Sequence, residues 1–158
     1  MPKPKLYLET SVVSYYTARP SRDVIVLGHQ QITWDFWEKH IHRFEVFISQ
    51  IVWNEAGSGD PVAAQKRLNA IRDFPLVHAT PAVDNLVHNY FKEKILPENE
   101  ERDAYHIAIA AVNELDYLVT WNCQHIARVP VREKLKSIHE REGVFVPIIC
   151  TPEDLLED

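Results

Sequence analysis

Cysteine is scarce in this chain, with Cys123 and Cys150 the only two. Their spacing matches neither a disulfide framework nor a zinc motif, which favours a reduced, cytoplasmic setting. Glycine is scarce as well, four in all. No glycine-rich loop is present to cradle a phosphate, and the Gly-x-Ser-x-Gly elbow of covalent hydrolases is missing. No apolar run approaches the roughly 20 residues that cross a bilayer. The opening "MPKPKLYLET" lacks the apolar stretch of a signal peptide, so export is not expected. Excess positive charge is lacking too. A formal net charge of -6 argues against a protein that coats nucleic acid through its phosphates. It leaves room for an enzyme whose bound cations supply the positive charge. His40 and His42 do not have the spacing of a zinc-binding helix.

What is present is ordinary globular material: 158 residues, 46% hydrophobic and 25% charged, enough for one domain around one core. There is no internal repeat, low-complexity stretch or linker. "KLYLE" (5–9) alternates as a short strand and "VVSYYTA" continues as a helix or turn. Residues 21–41 carry apolar side chains at helical intervals, with Ser21 as N-cap and one glycine inside, which predicts one long helix. "FEVFIS" (44–49) is a second strand, and 50–56 and 61–74 are helices separated by "GSGDP". A brief strand at 76–80, helices at 81–96 and 101–115, a strand at 116–121 and a helix at 130–143 ended by Gly143 follow. A last strand starts at 144, before a short helix with Thr151 as cap and Pro152 at its first position. Strands alternating with helices predict an α/β fold, a parallel sheet of about five strands covered on both faces. Ligands of such sheets bind beyond the carboxyl ends of the strands. That rule gathers Glu9, Asn122 and the start of the helix after Ile48 on one rim.

Three carboxylates stand out on that rim. Glu9 ends the first strand beside Thr10 and Ser11, whose hydroxyls can orient it; a solvated strand-end glutamate is the plainer alternative. Glu55 lies off the apolar edge of its helix, as many solvated glutamates do. Asp103 ends the acidic run "ENEERD" yet shares a helical face with Ile107, Ala110 and Ala111. An aspartate there is costly unless paired, although the helix dipole favours an acid in a first turn. His106, on the adjoining face, reads as a satisfied, partly buried histidine, and Asp116, at the amino end of its strand, as a turn or cap residue. Asn122 can offer a carbonyl oxygen. Three carboxylates and an amide meet the needs of Mg²⁺ or Mn²⁺, hard ions that take few protein oxygens and leave room for water and phosphate.

At "YLETSVVSYY" (7–16), "VWNEAGSGDP" (52–61), "RDAYHIAIAA" (102–111) and "DYLVTWNCQHIA" (116–127) the chain resembles the PIN-domain family, and within it the VapC-like toxins of toxin–antitoxin pairs. The likeness runs along nearly the whole chain. It implies a three-layer α/β/α fold, Mg²⁺- or Mn²⁺-dependent ribonuclease activity, frequent homodimers and a cognate antitoxin. It also implies Glu9, Glu55 and Asp103 as the catalytic acids, with Glu9, Asp103 and Asn122 toward the metal. The family's first strand typically ends in aspartate; Glu9 is one methylene longer, which moves the oxygens by about 1.5 Å. A fourth acid commonly follows the "LVT" strand, where this chain has the uncharged Asn122.

Ser11, Arg19, Arg22, Arg102, Thr120, His125 and Arg128 lie close to these motifs and are candidates for contact with substrate phosphates. Tyr15, Tyr16, Trp53 and Trp121 are candidates for stacking on unpaired bases, with core packing the competing role. Trp34, Phe36, Trp37 and Ile41 form a stripe suited to the core, or to a dimer seam or antitoxin groove. Two functional classes follow: a metal-dependent endoribonuclease, or a PIN-like RNA-binding or scaffold domain weakened in catalysis.

Overall fold

The computed structural model describes residues 2–122 and 124–157; Cys123 lies outside the described residues. Five strands form one parallel sheet in the order β3-β2-β1-β4-β5. They are β1 (Lys5–Leu8), β2 (Glu45–Ser49), β3 (Leu76–Val77), β4 (Tyr117–Val119) and β5 (Ile148–Cys150). Among the described residues seven α-helices accompany them: α1 (Thr10–Thr17), α2 (Val24–Asp35), α3 (Gln50–Ala56), α4 (Pro61–Ile71), α5 (Pro81–Lys92), α6 (Glu101–Val112) and α7 (Val129–Glu142). The result is the expected three-layer α/β/α architecture. No described helix is long and apolar enough to cross a membrane.

β1 holds the centre, in register with β2 through Tyr7–Phe47 and with β4 through Tyr7–Leu118. Leu6, Tyr7, Leu8, Leu118 and Val119 are fully buried, as a strand covered on both faces requires. α1 packs against α2, α3 and α4, while α5 packs against α6. The buried side of α6 carries four alanines, Ala104, Ala108, Ala110 and Ala111, with Ile107 and Ile109 packed into the core.

The departures from the sequence reading have local causes. The helix predicted over 21–41 begins instead at Asp23, whose Oδ1 accepts from the N–H groups of Ile25 and Val26, both at 3.0 Å. It then widens to a π-helical segment at Phe36–His40 and tightens to a 3₁₀ turn at Ile41–Arg43. Helix α5 stops at Lys92 because Lys94 turns left-handed, at φ 57°. Its predicted continuation to 96 is a turn closed by Ile95 N–H on Tyr90 O, 3.0 Å. α7 ends as predicted at Gly143, φ 68°, with Val144 N–H on His139 O at 2.8 Å in a Schellman closure. Thr151 and Asp154 form the capping box of the last, 3₁₀ turn.

The aromatic stripe after α2 turns inward. Phe36 is fully buried, Trp37 stacks face to face on Tyr16 at 4.1 Å and tilts on Phe74, and Trp34 Nε1 donates to Tyr16 O at 3.0 Å. Phe36 belongs to the core and Trp37 packs against it, whereas Trp34 is half-buried at the surface.

Candidate functional site

The carboxyl ends of β1, β2 and β4 meet at one rim, and each delivers a polar element there. After Leu8 the chain leaves the sheet at Glu9, which is the N-cap of α1 rather than the last strand residue. Its Oε2 accepts from Ser11 N–H at 3.0 Å, and its Oε1 from the hydroxyls of Ser11 and, at 2.6 Å, Thr120. Glu9 N–H donates to Val119 O at 3.1 Å, tying the cap to the end of β4. Glu9 is only 7% exposed, so these three donors replace the water it gives up. Ser11 and Thr120, read from the sequence as candidate phosphate contacts, spend their hydroxyls on this carboxylate.

β2 ends at Ser49, which caps α3, and Glu55 lies near the end of that short helix. Glu55 Oε1 accepts from Thr10 Oγ1 at 2.5 Å and from His106 Nε2 at 2.9 Å, with Arg102 Nη1 3.8 Å from Oε2. Burial pushes the Glu55 carboxyl up. The His106 bond and charge, the Thr10 bond and the Arg102 charge outweigh it and hold the group below its ordinary value.

α6 supplies His106 and Asp103 one turn apart. His106 is 1% exposed, deeper than the partly buried position expected, and its Nδ1 lies 2.6 Å from Tyr7 Oη. Burial works against protonating this ring. The Glu55 hydrogen bond and the charges of Glu9, Glu55 and Asp103 prevail and raise its pKa. All three acids singled out in the sequence therefore act on one histidine.

They do not form one tight knot. Ligand atoms of Glu9, Glu55 and His106 lie within 4.8 Å of one another, whereas Asp103 groups in the same way with Glu100 and His125. His125 bridges the latter pair, Nδ1 to Asp103 Oδ2 at 3.1 Å and Nε2 to Glu100 Oε1 at 3.2 Å. Asn122 sits at the rim as expected, but its Oδ1 accepts from His125 N–H at 3.1 Å and its own N–H donates to Thr120 Oγ1 at 2.9 Å. Its amide is thus committed to the turn after β4. Arg19 and Arg22 are exposed near the start of α2. Asp116 closes the opposite end of the sheet by accepting from Lys5 N–H at 2.8 Å, the cap role expected of it.

Two participants had little sequence signal. Glu100 was one acid among four in "ENEERD", and the pairing of His106 with Tyr7 joins residues 99 positions apart. Trp121 is buried between His29, stacked at 4.2 Å, and Tyr15 at 6.1 Å, with Nε1 donating to Thr33 Oγ1 at 2.8 Å. A cavity of about 370 Å³ opens beside Glu55, lined also by Ile51, Asn54, Ser58, Glu101, Arg102 and Tyr105.

The donor set is chemically suited to a hard divalent cation: carboxylates from three separate elements, two of them close enough to share an ion. Comparison with known proteins adds nothing further, since no protein-family model and no curated protein matches the chain.

Proposed function

We infer that the chain is a metal-dependent endoribonuclease of the PIN-like kind, acting as the toxin of a toxin–antitoxin pair. One observation carries this reading: at the carboxyl-end rim of a parallel sheet, Glu9 and Glu55 cluster with the buried His106, and Asp103, one turn from His106 on α6, stands in an adjoining acidic cluster with Glu100 and His125. Carboxylates gathered that closely repel one another unless a cation or a fixed set of donors holds them. Glu9 and Glu55 would hold Mg²⁺ or Mn²⁺, with Asp103 in the adjoining cluster adding its charge. When bound, such an ion supplies Lewis-acid stabilisation of the charge that builds on the phosphate oxygens. Glu55, kept ionised by His106, Thr10 and Arg102, orients the attacking water. Arg102 and the exposed Arg19 and Arg22 position the RNA backbone, and the cavity beside Glu55 has room for part of the flanking nucleotide. A homodimer and a cognate antitoxin belong to the same proposal.

A second reading is favoured by a specific observation, the commitment of the rim's acceptors to protein donors. Glu9 already accepts three hydrogen bonds, and the Asn122 amide oxygen is taken by His125 N–H. A PIN-like RNA-binding or scaffold domain with little catalysis would look the same. Expression of wild type and Asp103→Ala in a bacterial host, followed by sequencing of RNA 5′ ends, separates the two. Growth arrest with new ends in wild type alone is expected; identical outcomes for both proteins would remove the nuclease reading.

A further inference from the structure

Glu55 is anchored from inside the core. Its Oε1 meets His106 Nε2 at 2.9 Å; His106 Nδ1 meets Tyr7 Oη at 2.6 Å; Tyr7 Oη meets Ser49 Oγ at 2.8 Å; and Val52 N–H donates to Ser49 Oγ at 3.3 Å. Tyr7, His106 and Ser49 are all buried, with no solvent to substitute for a lost partner. For the neutral His106 ring the donor directions follow by elimination. An ionised carboxylate only accepts, so His106 Nε2 carries the hydrogen. With the ring neutral, Nδ1 is then the acceptor and the Tyr7 hydroxyl donates to it. The Tyr7 oxygen in turn accepts from Ser49, whose own oxygen accepts from Val52.

Every donor in this series points the same way, from the first turn of α3, through the central strand and α6, back to a carboxylate near the end of α3. Aligned hydrogen bonds polarise one another in a low-dielectric interior. Tyr7 is held at mid-sheet by its register with Phe47 and Leu118, so its hydroxyl is a fixed point for the histidine.

We propose that Tyr7 and His106 are positioning residues, a buried relay that aims the Glu55 carboxylate at the rim and fixes its orientation. The role in catalysis rests on the nuclease reading above; the relay itself does not. Its chemistry is that of the outer partners that orient metal-binding carboxylates, whose removal typically weakens metal binding by about 10- to 100-fold.

The test combines a spectrum with a titration. Long-range proton–nitrogen correlation NMR of the metal-free wild type, in alkaline buffer, is expected to show His106 as the Nε2–H tautomer. Tyr7→Phe should shift the Nδ1 resonance toward that of an unbonded nitrogen. Calorimetric titration of the same proteins with MnCl₂ should show the dissociation constant rising about tenfold in Tyr7→Phe. His106→Gln, whose side-chain amide can still donate to Glu55, should lie between Tyr7→Phe and His106→Ala. Cleavage assays should show kcat reduced with the KM for RNA unchanged. An Nδ1–H tautomer in wild type, or Mn²⁺ affinity equal in wild type and a folded Tyr7→Phe, would overturn the proposal. Lack of Mn²⁺ binding by wild type would instead end the metal reading, and the spectrum alone would then decide the relay.

Discussion

Thr120 Oγ1 lies 2.6 Å from Glu9 Oε1, joining the residues that follow two adjacent strands of the sheet. The same hydroxyl oxygen accepts from Asn122 N–H at 2.9 Å. One fully buried side chain therefore serves both the carboxylate and the turn after β4. Thr120→Val, nearly the same shape, removes both services. It should destabilise the protein by about 1–3 kcal/mol, the cost of leaving buried polar groups unpaired, as a lower urea midpoint with unchanged slope.

Asp103 is predicted to contribute charge more than packing. It is half-buried in the first turn of α6 and its side-chain partner is His125. Asp103→Asn keeps shape and hydrogen-bonding capacity but deletes the charge. Mn²⁺ affinity in calorimetry should fall by about tenfold or more, as for loss of a metal-orienting or ligating group, while the melting temperature moves by a few degrees at most. Equal affinity in the two proteins would remove Asp103 from the ligand set.

Acid should weaken the fold through a histidine remote from the rim. His139 is 1% exposed, its Nε2 is 2.5 Å from Tyr90 Oη, and burial lowers its pKa to about 4. Because the folded value lies below the ordinary imidazole value of 6.5, the unfolded chain takes up the proton first. Stability is complete above about pH 6.5 and declines as pH falls toward 4, by about 3 kcal/mol in all. Urea unfolding across that window should show the slope, and a folded His139→Gln should flatten it. A slope unchanged in His139→Gln would place the acid sensitivity elsewhere.

Gly143 should be replaceable only at a conformational cost. A Cβ there would meet nothing within 4 Å, so space is not the constraint; φ 68° is. Gly143→Ala should cost about 1 kcal/mol and Gly143→Asn less, measured by thermal unfolding.

The architecture was legible because periodicity is a local property. "KLYL", "EVFIS" and "YLV" declare buried strands by composition, and "PVREKLKSIHEREG" declares a helix and its stop. The rim followed from strand direction, which brought Glu9 and Asn122 to the right end. Finer features depend on contacts that sequence spacing does not encode. Ser21 and Asp23 are both good caps, and Asp23 prevails because its carboxylate reaches two N–H groups while Ser21 Oγ accepts from Asp23 N–H itself. The strands predicted at 76–80 and from 144 contract to two and three residues because ladder partners run out at the sheet edges. Asn122 was placed correctly, but the direction of its amide is set by His125, three residues on. His106 read as a satisfied histidine; that its partners are a tyrosine in β1 and a glutamate in α3 is a fact of tertiary structure alone.

The alignment of β1 with β4 carries a consequence for folding. A slip of one residue between these strands would turn the side chains of β1 to the other face of the sheet and carry the Glu9 carboxylate away from its Thr120 donor. Mispairing is thereby penalised by the buried Glu9 carboxylate itself, so the rim is assembled only where the two central strands are locked in register.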